Sequence, residues 1–415
     1  MKDKNKPLVP KLRFPEFRDA GEWVPSTLGK LFANRQESGF ESLPLLSLTD
    51  KEGIIPQEES NRKNNASADR SRYLRVVPGD IAYNTMRMWE GRSAFVDREG
   101  VISPAYTVCE PVGSANGLFF SYYFKTAQLI EQFRRYSQGL VKDTLNLKYA
   151  AFSKIPVLSS SPEEQQKIAD CLSSLDALIA AQADKIDALK THKKGLMQQL
   201  FPREGETVPR LRFPEFRDAG AWEEKMLEDI ASFSKGKGIS KSDIEENGVL
   251  PCIRYGELYT TYDETIDEVV SFTNVSPDEL ILSKFNDVII PASGETQEDI
   301  ATASCVRMDG VALGGDLNII RSNNNGVFLS YYLNGAKQKN IAQMSQGVSV
   351  IHLYPSQLKT LTVRLPKTEE QQKIADCLSS LDALIAAQSD KVDALKTHKK
   401  GLMQHLFPRQ ENITQ

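Results

Sequence analysis

Two stretches of this chain carry apolar residues at helical spacing for longer than any others. Taking Leu172 as heptad position a, the first stretch gives an a/d seam of Leu172, Leu175, Ile179, Gln182, Ile186, Leu189, Lys193, Leu196 and Leu200. The second gives Leu378, Leu381, Ile385, Gln388, Val392, Leu395, Lys399, Leu402 and Leu406. The pattern predicts helices over residues 163–200 and 369–406. Each would be on the order of 55 Å long at about 1.5 Å per residue. Ser161 and Pro162 ahead of Glu164 form a helix start, Thr368 stands in the same relation to Gln371, and Phe-Pro ends each stretch. Neither helix can bury its stripe alone, so the two are expected to pair as a coiled coil. Heptads leave the direction open, but two equivalent half-proteins related by a two-fold favour an antiparallel pair. Gln182 and Gln388, at matching core positions, are expected to fix register at some cost in stability. Elsewhere the apolar runs are short. YLRVV from Tyr73 and ELILSK from Glu279 read as strands, and LFFSYYFKTAQLIEQF from Leu118 reads as a helix. The fold class that follows is α+β: two mixed α/β domains separated by two long helices.

The chain is also two copies of one plan. EQQKIADCLSSLDALIAAQ begins at Glu164 and again, letter for letter, at Glu370. PKLRFPEFRDAGEW from Pro10 returns as PRLRFPEFRDAGAW from Pro209. Fainter echoes lie between. PGDIAYNTMRMWEGRSA from Pro78 aligns with FNDVIIPASGETQEDIATAS from Phe285, and SYYFKTAQLIEQFRRYSQG from Ser121 with SYYLNGAKQKNIAQMSQG from Ser330. LPLLSLTDKEGI from Leu43 resembles LPCIRYGELYT from Leu250. Drift after duplication would have blurred the helices too, so near-identity in one part and divergence in another imply two jobs, one fixed and one variable. The expected segments are a first variable domain over 1–160, a helix over 161–203, a second variable domain over 204–367, and a helix with its tail over 368–415. The Trp23 and Trp222 blocks are expected either to anchor each domain to its neighbour or to form a generic apolar turn.

At 415 residues the chain is long enough for two or three domains, and 40% hydrophobic with 26% charged residues fits a soluble globular protein. No run reaches the eighteen apolar residues of a membrane span, and MKDKNKPLVPKLRF lacks the apolar centre of a secretory signal. Cys109, Cys171, Cys252, Cys305 and Cys377 lack CxxC spacing, so a reducing cytoplasm is expected and a zinc site is not. A formal net charge of −4 argues against binding nucleic acid through bulk positive charge but leaves room for a basic face. The first variable segment is slightly basic and the second acidic.

A search for catalytic chemistry finds little. KGKGISKS from Lys235 has the wrong spacing for a phosphate loop, and HExxH and GxSxG are absent. Glu223-Glu224-Lys225 has the form of a nuclease ExK, but the first copy has Val24-Pro25-Ser26 there, so it reads as surface charge. The KTHKKG tails at Lys190 and Lys396 suit the negative ends of the helix dipoles and read as solvated or partner-facing, not as a catalytic histidine site. The variable segments do carry groups that read polar edges. Candidates for nucleic-acid contact are Arg62, Lys63, Asn64, Arg70 and Arg72 on one loop, and Arg87, Trp89 and Arg92 on a second. Lys142 follows the first Ser-Gln-Gly, while Lys235, Lys237, Arg254, Thr296 and Gln297 belong to the second copy. Arginine reads guanine and asparagine or glutamine reads adenine by paired hydrogen bonds, whereas lysine and hydroxyl groups position phosphates.

The alternating order of variable and constant parts resembles the specificity subunit of type I restriction-modification enzymes. The resemblance covers nearly the whole chain. It rests on the LRFPEF blocks, the EEQQKIAD helices and the Ser-Gln-Gly segments leading to KIPVL from Lys154 and TLTVRLP from Thr360. It implies two target recognition domains, each reading half of a split site in double-stranded DNA, with the helix pair as a ruler for the unread spacer. It further implies two modification subunits that bind S-adenosylmethionine and methylate adenine, and a restriction subunit using ATP and Mg where the complex also cleaves. None of that chemistry is expected on this chain, which would be non-catalytic and without a cofactor of its own. The competing reading is a protein-binding scaffold with a coiled-coil spacer, and steep salt dependence of DNA binding separates the two.

Overall fold

A computed structural model describes residues 8–49, 53–60, 69–347 and 350–408. The chain divides into two compact units, Met1–Gln182 with Lys391–Gln415, and Ala183–Asp390. This division cuts through both long helices. Each unit owns the first half of one helix and the second half of the other.

In the first unit an antiparallel sheet has the order Phe32–Arg35, Tyr106–Pro111, Ile81–Asn84 and Ser93–Phe95. Its inner face packs on the helices Gly117–Tyr123 and Ala127–Tyr136 through Phe32, Tyr83, Phe120, Phe124, Phe133 and Phe152, all fully buried. The single helix expected from Leu118 is thus two. The break falls at Phe124–Thr126, where the Thr126 hydroxyl donates to the Tyr123 carbonyl at 2.7 Å and Lys125 turns aside to the carbonyls of Gly91 and Ser93. Val24–Thr27 pairs with Pro156–Ser159, closing the domain just before the long helix begins. Trp23 is buried in this core, edge-on to Phe407, and Phe407 stacks on Tyr123 at 4.7 Å.

The second unit repeats the plan with a larger sheet. Its order is Ala231–Lys235, Leu317–Ser322, Asp287–Pro291, Ser304–Val306 and Thr265–Ile266, with a three-stranded sheet beside it. Glu223–Met226 pairs with Thr362–Leu365, as the corresponding strands do in the first unit. Trp222 packs on Phe328 and Tyr332, with Phe201 in the same core. The strand expected from Glu279 is not formed. Pro277–Glu279 is a short 3-10 turn, after which Leu282 makes one bridge to Ala312, because the segment bonds the neighbouring strand at scattered points.

Residues of both repeated blocks are paired within their own unit. Arg13 of LRFPEF makes a two-pronged pair with Glu164 (2.8 and 2.7 Å), and Arg212 does the same with Glu370. The next two residues, Gln165 and Gln166, accept from the backbone N–H and side-chain amide of Asn116, which caps the helix Gly117–Tyr123. Gln371 and Gln372 hold Asn325 identically. Gln371 is therefore spent on the domain and not on a capping box with Thr368, which is already the first helical residue.

The long helices run Pro162–Leu200 and Thr368–His405. Within the first unit Asp176 meets Lys399, while Ile168 and Leu172 share a core with Leu402 and Leu406. Earlier residues of one helix therefore lie beside later residues of the other, and the segments are antiparallel. The second unit shows the same order: Lys193 meets Asp382, and Leu196 and Leu200 share a core with Leu378 and Ile374. Leu172, Leu200, Leu378, Val392 and Leu406 are buried. Leu175, Ile179, Gln182, Ile186, Leu189, Leu196, Leu381, Ile385, Gln388, Leu395 and Leu402 are half-buried.

Candidate nucleic-acid interface

Each main sheet gathers several of the candidate residues at one edge. In the first unit the strand registers pair Arg35 with Val108 and Asn84 with Tyr106. The end of Phe32–Arg35, the end of Ile81–Asn84 and the start of Tyr106–Pro111 therefore share an edge. The turn leaving Asn84 is shaped by its own side chain, which accepts from Met86 N–H at 3.0 Å. It presents Arg87, Trp89 and Arg92 around a buried Met88. The Trp89 indole donates to the Met86 carbonyl, and Glu90 lies within 3.4 Å of Arg87 and 3.5 Å of Arg92. These guanidiniums are thus preset but still more than a third exposed.

The loop after Ser-Gln-Gly joins the same edge, because Leu147 N–H donates to the Thr85 carbonyl and Gln138 bridges Asn146. Gly139 has φ 142° there, and a side chain would run into the Thr144 carbonyl at 2.5 Å, so the repeated glycine is sterically required. The loop carries Lys142 exposed, with Leu140 and Val141 bare at its tip. Arg72 is exposed and Arg70 half-buried on the segment held by Gly39 N–H donating to the Ser71 carbonyl. Arg62, Lys63 and Asn64 lie outside the described residues. Behind the edge, Asp80 is buried against Arg35; burial raises its carboxyl and the Arg35 guanidinium opposes the rise.

In the second unit Lys235 pairs with Asn318 and Pro291 with Leu317, so the corresponding strand ends again share an edge. Buried Asn318 donates to the carbonyls of Pro291 and Leu353, drawing in the loop after the second Ser-Gln-Gly. Ser293 pairs with His352, His352 stacks on Tyr354, and the Lys235 ammonium lies over the Tyr354 ring at 5.8 Å. Thr296 and Gln297 follow at once, both exposed, with the Thr296 hydroxyl capping the turn Gln297–Ile300. Lys235, Thr296 and Gln297 thus come together with two residues not singled out from sequence, His352 and Tyr354. Their signal was the Ser-Gln-Gly that precedes them. Lys237 is exposed nearby, its N–H bonded to Leu313. Arg254 is committed to Glu257 at 3.1 Å and is the least available of the set.

The KTHKKG tails are not simply solvated. Lys193 and Lys399 are only 13% and 20% exposed and lie over the rings of Tyr331 and Tyr122, each paired with a carboxylate. Lys399 also lines, with Lys396, Lys400, His405 and Arg135, a cleft of about 1010 Å³. Among the described residues no group of His, Cys, Asp or Glu side chains could hold a metal ion, and no helix is long and apolar enough to cross a membrane.

Comparison with known proteins bears on this geometry. A family model for the type I restriction modification DNA specificity domain matches residues 220–397. The type I restriction enzyme MjaVIII specificity subunit of Methanocaldococcus jannaschii is 23% identical over 368 residues, spanning 81% of this chain and 82% of that protein. The MjaIX specificity subunit of the same organism is 23% identical over 333 residues, spanning 79% and 73%. Among solved structures, the type I restriction-modification S subunit from M. genitalium shares the fold with a TM-score of 0.57 at 17% identity, over 97% of this chain and 99% of that one. A chain solved in work on complex assembly and conformational transition of the type I R-M system gives 0.56 at 15% identity, over 93% and 97%. Residues 220–397 thus match the type I restriction modification DNA specificity domain, and nearly the whole chain is similar to type I specificity subunits and shares the fold of the solved S subunits.

Proposed function

We propose that this chain reads a two-part target in double-stranded DNA. Residues 1–160 and 204–367 form the two target recognition domains, and the helices within 161–203 and 368–415 set the unread spacer. The observation that carries this is the repeated sheet edge. The same strand ends, in two domains of one plan, hold different side chains: Arg87, Trp89, Arg92 and Lys142 in one, and Lys235, Thr296, Gln297, His352 and Tyr354 in the other. Scaffolds of one plan with different edges suit two half-sites of different sequence. The chemistry fits base edges and phosphates, with arginine and glutamine as readers and lysine and threonine as positioners.

The partners are two modification subunits that methylate adenine with S-adenosylmethionine, and a restriction subunit using ATP and Mg in complexes that also cleave. The assembly works in the cytoplasm, where the chromosome is its substrate. The test is the methylome of cells making this chain with its modification subunit. Methylated adenines in a two-part motif with a constant gap are expected. A contiguous motif would remove the ruler. An assembled complex that adds no methylation would favour the protein-scaffold reading.

A further inference from the structure

Lysine at a coiled-coil seam is a liability, because its ammonium must be compensated wherever it is shielded from water. Lys193 and Lys399 occupy such positions, and each unit compensates its lysine in the same way. In the first, Lys399 donates to both oxygens of Asp176 at 2.5 and 2.6 Å, and Tyr122 donates its hydroxyl to Asp176 at 2.8 Å. The Lys399 ammonium lies 5.0 Å from the centre of the Tyr122 ring. In the second, Lys193 reaches Asp382 at 2.6 Å, Tyr331 donates to the same carboxylate, and the ammonium lies 5.1 Å from the Tyr331 ring centre. Each joint therefore ties three elements: one long helix, the other long helix, and a helix of the recognition domain.

We propose that these Lys–Asp–Tyr joints are the positioning residues of the specificity subunit: each fixes the level along the helix pair at which its domain is attached, and so the length of the spacer. The inference rests on the two-part reading above. Apolar packing alone tolerates rearrangement, since leucine and methionine repack with small losses. A half-buried ammonium bonded to a carboxylate does not. Sliding the pair by seven residues keeps an apolar seam, but it brings Ala169 or Ala183 level with Lys399, and Ala375 or Ser389 level with Lys193. No carboxylate waits at any of these positions, so the joints reject the register errors that the seam would permit. The second joint is reinforced, because Glu264 adds a carboxylate to Lys193 at 2.7 Å.

The experiment uses the full chain assembled with its modification subunit and reads the gap in every methylated site. Asp176→Leu with Lys399→Met makes the first joint apolar; Asp176→Lys with Lys399→Asp reverses the pair. The apolar joint is expected to keep both half-sites but to raise the share of sites with a wrong gap about tenfold, the ratio produced by a modest loss of discrimination. The reversed pair is expected to restore a single gap. An apolar joint that still methylates one gap only overturns the proposal. If that variant does not assemble, Tyr122→Phe with Tyr331→Phe removes the hydroxyl bonds alone, and an unchanged gap distribution there overturns it equally. Absence of any two-part motif in the unaltered complex would instead count against the two-part reading itself.

Discussion

Arg13 decides how the first recognition domain meets the start of its long helix. Its guanidinium bonds both oxygens of Glu164 and, at 2.6 Å, the Gly21 carbonyl; the hydrogen bond to Glu164 also raises its pKa. Glu164 is only 1% exposed, in the first turn of a helix whose positive end favours a carboxylate. Replacing Arg13 with alanine would leave that carboxylate buried and unpaired. The expected loss is about 3–5 kcal/mol, as for other buried pairs cut on one side. Arg13→Lys should recover little of it, because a point charge cannot reproduce the two-pronged geometry. Denaturant unfolding of the two variants checks both statements, and an Arg13→Lys protein as stable as the parent would refute the geometric part. Arg212 and Glu370 repeat the arrangement, so the same pair of substitutions in the second copy should behave alike.

At the scale of elements, the seam glutamines are the weak layers of the long helices. The side-chain oxygens of Gln182 and Gln388 are buried without a hydrogen-bond partner. Counting from the Lys399–Asp176 pair, Gln182 lies beside the level of Val392; counting from Lys193–Asp382, Gln388 lies beside that of Ile186. Each glutamine thus faces an aliphatic layer of its own unit. Gln182→Leu should raise the melting temperature, removing an unsatisfied polar group worth about 1–3 kcal/mol; a lowered melting temperature would show that the amide is satisfied in solution. The seam was legible in the sequence as a heptad period, and the positions it names are buried or half-buried in their own unit. The partners of its lysines were not, because Asp382 is 189 residues from Lys193 and spacing carries no sign of such a pair. The recognition domains were hardest to read. Their strands are two to six residues long, too short for alternation to speak, and segments such as the one from Glu279 bond their neighbour only at scattered points. His352 and Tyr354 belong to the candidate edge only because buried Asn318 and a two-residue strand pair bring their loop to it.

For the whole molecule, the length of helix between the joints is the quantity that should translate into DNA. Asp176 and Lys193 are seventeen positions apart on one helix, as are Asp382 and Lys399 on the other. Seven residues can therefore be removed from each of these intervals while both joints, both Arg–Glu pairs and both aromatic cores stay intact. The seam also stays in phase, because seven residues leave a helix only about 20° out of rotation. Such a deletion shortens each helix by about 10 Å, or roughly three base pairs at about 3.4 Å each. Three base pairs also turn the duplex by more than a quarter of a revolution at about 10–10.5 base pairs per turn, which the nearly unrotated helices do not follow. The double deletion should accordingly read the same half-sites with a gap shorter by about three base pairs, or lose recognition because the second half-site has turned away. Sequencing of methylated sites distinguishes these outcomes from the one that would end the ruler model, the parental gap retained with both helices shortened.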